Sequence, residues 1–398
     1  MDDISVLFVL PGISGGGAEH VASVLANAFA ERGSEVSFVL TSQNLASIVK
    51  NELRPEIEIT SLRDGRNDRR TLAAILARLA SSAVCRFIEL FHRPVPAFWA
   101  YLSFWSEYHR ELEGLRELLR ERPDTTVIAF LQPAIPITLL AARGLPNRVV
   151  FSERGNPARL MKNRYGRRFI ERYYTRADAA VFQTREAAET YPPIIAEKGT
   201  VIPNPLPEDL PAPYHGERYH CITTFCRISA QKNLPLLLEA FRLVHHVHPE
   251  YSLRIIGDAG NEEGRRIERQ LHAFVLDKGL DKAVSFEPFR EDVLSTVIQD
   301  AMYVNSSDYE GISNAMLEAM ATGLPVICTD CPIGGARQTI TDHLNGILVP
   351  VGDSDALAKA MKELIENPGL SSVLSKNGVE IRNSFKKEII IHKWTELL

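Results

Sequence analysis

SSDYEGISNAMLEAMATGLPVICTDCPIGG, residues 306–335, predicts the end of a strand, a loop, a short helix and a second strand. Ser313 and Asn314 precede a run of helix-forming residues, as a helix N-cap does, and Gly323 stands where a C-terminal cap is expected. The first N–H groups of such a helix have no partners within it, and the helix dipole adds partial positive charge there. The stretch therefore predicts a helix N-terminus that suits a phosphate group.

Two glutamates lie on either side of this predicted helix start. Glu318 follows Ser313 by five residues, which is roughly 7–8 Å along a helix that rises about 1.5 Å per residue. That distance is about the reach from a pyrophosphate to the ribose of the same nucleotide. Glu310 precedes the helix, where it could meet the group that the far phosphate carries. The hypothesis is that this one element holds a nucleotide-sugar at both ends.

Length and charge set limits on the class of protein. The chain has 398 residues, which predicts two or three domains, and its 45% apolar and 24% charged residues are typical of a globular protein. Residues 1–200 have a net charge of +3 (26 Lys and Arg against 23 Asp and Glu), and the remainder has −8 (19 against 27). This uneven charge fits two domains with different partners and argues against a general nucleic-acid binder.

The cellular compartment is predicted from the N-terminus, the cysteines and the apolar stretches. The chain begins Met-Asp-Asp, without the basic region of a secretory signal, and its five cysteines are too scattered for a disulfide framework. Cys328 and Cys331 form a C-x-x-C, but they flank the end of an apolar strand, where Cys is a common core residue, so no metal site is predicted. Thr125–Ala142 lacks charges, but its prolines split it into a strand and a helix. A cytoplasmic protein is expected.

Apolar runs alternate with helical patterns along the whole chain, which predicts an α/β fold with doubly wound parallel sheets. The first series has predicted strands at Ser5–Leu10, Val36–Leu40, Val127–Leu131, Val149–Ser152, Ala179–Gln183 and Thr200–Ile202, and a helix from Ala18 to about Arg32. The second series has predicted strands at Cys221–Phe225, Ser252–Ile256, Val284–Phe286, Met302–Asn305, Pro325–Cys328 and Ile347–Val349. Its predicted helices are Pro235–His248, Glu262–Gly279 and one amphipathic segment, Leu357–Leu398.

The five prolines within Pro203–Tyr214 predict a stiff, extended linker between the two series. We therefore expect two Rossmann-like domains, residues 1–204 and 205–381, that face a central cleft. A C-terminal helix at about 382–398 is expected to pack back on the first domain.

The loop Gly12–Gly17 follows the first predicted strand. Its spacing does not match G-x-G-x-x-G, and the second strand ends in Thr41-Ser42 rather than in an acidic residue, so an NAD site is disfavoured. The triple glycine lets the backbone approach a ligand at the head of a helix. A mere tight turn is the alternative interpretation.

Two other stretches of the first series have more than one interpretation. Phe98–Trp105 is an aromatic patch that could lie on a bilayer surface, or pack into a partner or the domain itself; packing is favoured. Residues 154–176 carry eight basic side chains opposed only by Glu171, which indicates either a solvated helix face or a patch for anionic lipid or a phosphate-bearing acceptor. Ser152–Gly155 opens this segment at the carboxyl end of a strand, where ligands bind in open α/β sheets.

Two cations follow the first strand of the second series. Arg227 and Lys232 lie on one predicted loop between a strand and a helix, where they could neutralise a leaving nucleoside diphosphate without a metal ion. Alone they mean little. With Glu310, Glu318 and the glycine loop they form a pattern.

This pattern resembles the GT-B glycosyltransferases, specifically the large retaining group called family GT4. The matching segments are GGGAEH (Gly15–His20), VIPNPL (Val201–Leu206), RISAQKN (Arg227–Asn233), IIGDAG (Ile255–Gly260), SSDYEGISNAMLEAMATGLPVI (Ser306–Ile327) and NGILVPVGD (Asn345–Asp353). SERGNP (Ser152–Pro157) is also similar to a subset that builds cell-surface polysaccharides. Two departures are Cys226, where a Gly is common, and the turn Ile333–Ala336 near the expected sugar position, which leaves the donor sugar open.

The resemblance implies a role for each matched residue. Arg227 and Lys232 would hold the donor diphosphate, Glu310 would bind hydroxyls of the donor sugar, and Glu318 would bind the ribose. The further donor-binding residues that it implies are Gly311, Ile312, Ser313 and Asn314, with Gly16 and Gly17 from the other domain. Acceptor contacts are implied at Glu19, Glu153 and Arg154, although a structural ion pair explains Glu153 and Arg154 equally well.

The resemblance also implies the reaction. A sugar would move from a nucleotide-sugar, UDP being favoured over GDP, to a glycan or lipid-linked acceptor of cell-surface polysaccharide or glycolipid synthesis. Anomeric configuration would be retained, no cofactor or metal would be needed, and the enzyme would touch the anionic cytoplasmic face of the membrane peripherally. One alternative is a GT-B nucleotide-sugar epimerase, which predicts acid–base side chains facing the C2 atom of the sugar, and no convincing set is found. Another is a non-enzymatic two-domain sugar-binding protein, which would normally carry an export signal.

Overall fold

The computed structural model describes residues 4–12, 17–42, 53–63, 72–90, 96–155 and 164–398. The chain divides into two compact units, residues 1–202 with 391–398, and residues 203–390. Each unit contains one β-sheet whose paired strands are all parallel, with helices in the connections between strands. The prediction of two doubly wound α/β domains is confirmed.

The sheet of the first unit has seven strands in the order β3-β2-β1-β4-β5-β6-β7. The strands are β1 (Ser5–Leu10), β2 (Glu35–Leu40), β3 (Glu58–Ser61), β4 (Thr126–Phe130), β5 (Val149–Glu153), β6 (Ala179–Phe182) and β7 (Gly199–Val201). The helices are α1 (Gly17–Glu31), α2 (Leu72–Leu90), α3 (Ala97–Glu121), α4 (Ala134–Ala141), α5 (Arg164–Tyr173), α6 (Arg185–Glu189) and α7 (Pro193–Ala196). The strand order reverses between β1 and β4, and ligands bind outside the carboxyl ends of the strands at such a point.

The core of the first unit is built on β1, whose residues from Val6 to Leu10 are fully buried. Phe8 lies opposite Phe38 of β2, with ring centroids 5.1 Å apart, and also packs on Phe130 of β4 at 6.1 Å. A continuous apolar run is expected for a parallel strand that is covered on both faces. This explains why β1 was predicted with its observed bounds.

The aromatic patch at the start of α3 packs largely within its own unit. Tyr101 contacts Tyr173 and Phe104 contacts Phe169, with ring centroids 5.9 and 5.2 Å apart, so that α5 lies against α3. Phe98 alone among these is mostly exposed, at 60%. Among the described residues, no helix combines the length and the apolar character needed to cross a bilayer.

The sheet of the second unit has six strands in the order β10-β9-β8-β11-β12-β13. The strands are β8 (Tyr219–Phe225), β9 (Ser252–Ile256), β10 (Val284–Glu287), β11 (Asp300–Asn305), β12 (Val326–Thr329) and β13 (Ile347–Val349). The helices are α8 (Leu234–His245), α9 (Glu262–Asp277), α10 (Val293–Val297), α11 (Asn314–Ala321), α12 (Gly335–Thr339), α13 (Ser354–Glu366), α14 (Pro368–Gly378), α15 (Ile381–Ser384) and α16 (Lys387–Thr395). This order repeats that of the first six strands of the first unit, with its reversal between β8 and β11.

One element was missed by the sequence analysis, and one prediction about an element was wrong. The short strand β3 was not predicted, because its four residues, Glu-Ile-Thr-Ser, are half-exposed and give little apolar signal. The segment Leu357–Leu398 is not one helix but falls within four, α13 to α16. The first break comes at Asn367, whose side chain accepts a hydrogen bond from the Leu370 N–H, and Pro368 follows as the first residue of α14.

Candidate active site

The candidate site lies at the switch point of the second sheet. β8 ends at Phe225 and is followed by Arg227 and a 3₁₀ turn, Ala230–Lys232. The neighbouring strand β11 ends at Asn305 and is followed by the loop that carries Glu310. Because β8 and β11 are parallel neighbours, their following loops meet at the same edge of the sheet.

Lys232 and Glu310 form an ion pair at this edge. The Lys232 Nζ lies 2.6 Å from Glu310 Oε2, and the two side chains are only 16% and 18% exposed. Burial by itself would lower the pKa of Lys232, but the Glu310 carboxylate outweighs it and raises that pKa above its ordinary value, while the positive charge of Arg227 acts in the opposite direction. The ammonium therefore stays charged. Glu310 takes one of its three N–H donors, and two remain for other acceptors.

The Glu310 carboxylate is fixed by neighbours that the sequence reasoning missed. Ser307 Oγ lies 3.0 Å from Glu310 Oε2 and 2.6 Å from Asn305 Oδ1. Gln231 Nε2 donates to Glu310 Oε1 at 3.3 Å. The signal available in the sequence was a hydroxyl three residues before Glu310 in the same loop. These contacts hold the carboxylate in one orientation.

The loops after β8 and β11 are also joined through their backbones. Asp308 N donates to Gln231 O at 2.9 Å, and Ser306 Oγ donates to Lys232 O at 2.8 Å. Asn233, which caps the start of α8, donates from Nδ2 to Asp308 Oδ1 at 2.7 Å. The two loops therefore form one connected element, which fixes the spacing of Lys232 and Glu310.

The helix α11 has the caps that the sequence predicts. Ser313 is the N-cap, and its hydroxyl accepts from Met316 N at 3.4 Å. At the other end Gly323 has φ +80°, Gly323 N donates to Met320 O, and Leu324 N donates to Ala319 O, each at 3.0 Å. Both predicted caps are confirmed. Glu318 lies in the second turn of α11 and is half-buried.

The loop before α11 is held by a close backbone contact with the start of α12. A Cβ placed on Gly335 would lie 1.6 Å from the carbonyl oxygen of Gly311, so only glycine fits at position 335. Ile333, two residues earlier, has φ +84°, which is a strained conformation for a β-branched residue, and it is buried. The turn Ile333–Ala336, which departs from the family pattern, is thus in direct backbone contact with the loop between Glu310 and Ser313.

Arg227 is the most exposed of the four charged residues predicted for the donor site. Its Cδ lies 3.7 Å from the position that a Cβ would take on Gly260, so its stem runs along the loop after β9. Its positive charge acts to lower the pKa of Lys232, against the effect of Glu310. The structure thus brings Arg227, Lys232 and Glu310 together, and the start of α11 follows Glu310 within four residues.

The predicted residues near the start of the first unit are only partly described. Gly16 lies outside the described residues, as do residues 156–163 of the SERGNP and basic segments. Gly17 is the first residue of α1 and is exposed, and Glu19 is buried in the first turn of that helix. Their roles in donor and acceptor binding stay predictions.

Glu153 and Arg154 lie in the interior of the first unit, 3% and 9% exposed. Tyr191 Oη donates to Glu153 Oε2 at 2.7 Å, and Gly155 N donates to Oε1 at 2.8 Å; burial nevertheless raises the pKa of Glu153. Arg154 donates to Ser152 Oγ at 2.8 Å, and burial lowers its pKa to about 9. Its guanidinium lies 5.5 and 5.8 Å from the ring centroids of Phe130 and Trp394. This burial favours the structural interpretation of both residues over acceptor contact.

Two protein-family models match the chain. The one described as "Glycosyl transferase 4-like domain" matches residues 16–205, and the one described as "Glycosyl transferases group 1" matches residues 220–367. The second match contains Arg227, Lys232, Glu310 and Glu318.

Curated relatives and solved structures point the same way. The chain is 28% identical over 169 residues to an uncharacterized glycosyltransferase of Haemophilus influenzae, covering 42% of this chain and 45% of that protein. It is 27% identical over 173 residues to the lipopolysaccharide core biosynthesis glycosyltransferase LpsE of Rhizobium meliloti, covering 43% and 47%. The match thus spans about half the length of these relatives.

The fold is similar to that of HepE from Anabaena, whose crystal structure in complex with UDP-glucose gives a TM-score of 0.75 at 18% identity, covering 99% of this chain and 98% of that one. At that identity the likeness shows the fold alone. Combined with the two family matches, it confirms the GT-B architecture. The chain belongs to the group 1 glycosyltransferases of the GT-B fold.

Proposed function

We propose that the protein is a retaining glycosyltransferase that moves a sugar from a UDP-sugar to a glycan or lipid-linked acceptor in cell-surface polysaccharide or glycolipid synthesis. The observation that carries this proposal is the Lys232–Glu310 pair, partly open to solvent at the switch point, with Arg227 beside it and the start of α11 after it. Two cations and a helix N-terminus suit a diphosphate, and a fixed carboxylate suits sugar hydroxyls. The names of LpsE and of the HepE complexes with UDP and glucose support the substrate class.

Each residue has a role in this proposal. Arg227 and Lys232 bind the diphosphate, with the backbone N–H groups of residues 311–314, and stabilise the charge that develops on it as it leaves. Glu310 orients the donor sugar, and Glu318 binds the ribose hydroxyls. The acceptor hydroxyl forms a bond to C1 of the sugar on the face that the diphosphate leaves. The bond from C1 to the phosphate oxygen breaks, and that oxygen takes the proton of the acceptor. No metal ion or side-chain base is required.

The donor assignment is tested by thermal shift with UDP, GDP and their sugars. We expect UDP or a UDP-sugar to raise the melting temperature of the wild type, and Glu318→Ala and Arg227→Ala to lose most of that rise. Matched controls are Glu250→Ala and Arg242→Ala. Glu250 is exposed and lies two residues before β9, and Arg242 is half-buried in the last turn of α8, so neither is at the carboxyl edge of the sheet. If no nucleotide stabilises the wild type, the proposed donor site is wrong.

The stereochemical outcome and the metal requirement are tested on the reaction itself. Proton NMR of the first product formed should show the anomeric configuration of the donor sugar, and an inverted product would disprove a retaining mechanism. Addition of EDTA should leave turnover unchanged. An epimerase would instead convert the donor to its C2 epimer without any acceptor.

We also propose peripheral contact with an anionic membrane surface. The helix α2 exposes four large apolar side chains: Ile75, Leu76, Leu79 and Phe87, at 42, 57, 64 and 63%. The helix α5 exposes Arg167, Arg168 and Arg172 and packs on α3 through Phe169. Exposed apolar helix residues and exposed basic side chains in one unit are typical of proteins that lie on anionic bilayers.

Pelleting with vesicles of phosphatidylglycerol and phosphatidylcholine tests this contact. Leu76→Glu/Leu79→Glu should abolish pelleting, and neutralising Arg164, Arg167 and Arg168 should weaken it on anionic vesicles only. Leu276→Glu is the matched control, since Leu276 is a 71% exposed leucine on α9 of the second unit. Unchanged pelleting of both variants would disprove the proposed surface.

A further inference from the structure

We propose that Asn204 is a positioning residue of the donor site. Through a hydrogen bond to Asn314, it holds the first turn of α11 in the orientation that binds the donor diphosphate. This inference rests on the proposed function, since it assumes that α11 binds the diphosphate. The observations that support it are the contacts between α11 and residues 203–214, here named the linker strap.

The linker strap does not stand away from the second unit, as a free linker would. Its first four residues, 203–206, are buried. Leu206 packs in the same apolar cluster as Ile312 and Met316, and Leu206 N donates to Phe385 O at 2.9 Å. The segment therefore belongs to the packing around the start of α11.

The linker strap is also attached at the far end of α11. Tyr214 N donates to the carbonyl oxygen of Thr322, the C-cap residue, at 3.1 Å. Arg382 donates to Ala321 O at 2.6 Å and to Pro211 O, so that its guanidinium joins the last turn of α11 to the strap. A helix of eight residues is thus fastened to the strap near both ends.

Asn204 supplies the attachment at the first turn. It is 4% exposed, and its Nδ2 donates to Asn314 Oδ1 at 2.5 Å. Asn314 is the first residue of α11, directly after the cap Ser313. A carboxamide that accepts through its oxygen has its two N–H donors left for other partners, so the bond also sets which end of the Asn314 side chain faces away from Asn204.

A small movement of this turn would matter, because phosphate binding at a helix start depends on the direction of its N–H groups. Losing about 1 Å of alignment at a binding centre can cost on the order of tenfold to a hundredfold in function. Replacing Asn204 with Ala removes its hydrogen bond to Asn314 and leaves the residues of both caps in place. Asn204→Asp has an added effect, because it places a negative charge beside the first turn of α11, and that charge would repel a diphosphate bound there.

The test compares UDP with uridine, which lacks the diphosphate. Binding of UDP is measured by calorimetry. The Kd of uridine, if it binds too weakly for calorimetry, is measured by its competition with UDP. We expect Asn204→Ala to raise the Kd of UDP about tenfold and Asn204→Asp to raise it further, with the Kd of uridine changed by less than about twofold. Asn314→Ala should have a similar effect. The double variant Asn204→Ala/Asn314→Ala should have a Kd for UDP no higher than that of the single variant that binds UDP less tightly. This result is expected when two residues act through one bond.

Leu206→Ala is the matched control for a merely structural role. It loosens the packing of the linker strap but keeps the bond between Asn204 and Asn314, so it should lower the melting temperature without changing the ratio of the two Kd values. If Asn204→Ala behaves like Leu206→Ala, the positioning role is wrong.

The outcomes separate this inference from the proposed function. If Asn204→Ala binds UDP like the wild type while Glu318→Ala does not, the positioning role is wrong and the proposed function stands. If the wild type binds neither UDP nor GDP, both are wrong. If Asn204→Ala does not fold, Asn314→Ala, which changes the half-buried partner of the same bond, decides the matter.

Discussion

The two sheets share one strand order, yet the charged groups at their carboxyl edges differ in exposure and in partners. In the second unit, Lys232 and Glu310 are each about one-sixth exposed and compensate each other at 2.6 Å. In the first unit, Glu153 and Arg154 are only 3% and 9% exposed, and their contacts include a tyrosine hydroxyl, a backbone N–H, a serine hydroxyl and aromatic rings. A position at the carboxyl edge of a sheet therefore makes a charged group a candidate for ligand binding. Its access to solvent decides whether a ligand can reach it.

The pKa shifts express the same difference. The pKa of Lys232 is raised in spite of burial, because a carboxylate lies against it. The pKa of Arg154 is lowered to about 9, because burial is the dominant effect and the charge of Glu153 only partly offsets it. Lys232 can keep its bond to Glu310 and still donate its other N–H groups to a phosphate. Glu153 and Arg154 are instead costly to replace, because the buried tyrosine and serine side chains that hydrogen-bond to them would lose these bonds.

The largest expected effect is on catalysis. Its absence would contradict the interpretation of the second sheet's carboxyl edge as the ligand site. Lys232→Ala and Glu310→Gln should each lower turnover of the donor by about 10²- to 10³-fold, because in the proposed reaction each removes a group that acts on charge or orientation in the transition state. Urea denaturation of each variant shows whether it is still folded under the assay conditions, so that a loss of turnover can be assigned to the reaction rather than to unfolding. Turnover within tenfold of the wild type for both variants would show that this edge is not the reacting site.

The next effect is on stability, in the first unit. Glu153→Ala should lower the free energy of unfolding by about 3 kcal/mol, because it leaves Tyr191 Oη and Gly155 N without their acceptor in a buried place. Glu153→Gln should lose only about 1 kcal/mol, since it keeps the shape and can still accept from Tyr191. Urea denaturation measures both. The contrary result is a Glu153→Ala protein of normal stability with a raised KM for acceptor, which would place Glu153 at the acceptor site.

Local features of the fold could be predicted from the sequence. The strand Ser5–Leu10 was predicted with its observed bounds, because a run of buried apolar residues is a strong signal over a short distance. The caps at Ser313 and Gly323 were predicted for the same reason: the residue types that can fill them are few. The order of the elements followed from their alternation.

Features that depend on tertiary docking could not be predicted in this way. The ion pair joins Lys232 to Glu310 across 78 residues, and it exists only because two loops meet at the edge of a folded sheet. Residues 203–214 were predicted as a linker from their prolines, but no local pattern shows that Asn204 bonds to Asn314. The positive φ of Ile333 runs against the preference of its residue type, so the surrounding packing alone fixes it.

A smaller effect concerns a third buried charge, Asp300, at the opposite edge of the second sheet. Asp300 is fully buried, and Arg254 Nη1 lies 3.7 Å from its Oδ2. Burial raises its pKa from 3.8 to about 6, although the charge of Arg254 acts against this. The folded protein thus holds this proton more tightly than the unfolded chain, so the stability that the protonated carboxyl contributes is present below about pH 4 and lost as the pH rises through about 6.

Asp300→Asn should therefore gain on the wild type as the pH rises. We expect similar stability at pH 4 and an advantage of about 1–3 kcal/mol for the variant at pH 8, as measured by urea denaturation at each pH. Such a result would extend the comparison to two buried carboxylates. It would show that Asp300, whose partners are weaker than those of Glu153, contributes less to stability than Glu153 does. A variant less stable than the wild type at pH 8 would show that the ion pair with Arg254 outweighs the cost of burial.

The smallest effect is expected within the basic segment that contains Arg154. Arg167 and Arg168 lie 3.0 and 3.1 Å from the carboxylate of Glu171, but they are 64% and 50% exposed. Exposed ion pairs of this kind contribute about 0.2–1 kcal/mol, so Arg167→Gln/Arg168→Gln should change the free energy of unfolding by less than about 1 kcal/mol. Arg154→Gln, the matched buried change, should cost about 3 kcal/mol or more. Equal losses from the two variants would mean that burial does not separate the arginines of this segment, and the distinction between the two sheet edges would then lose its physical basis.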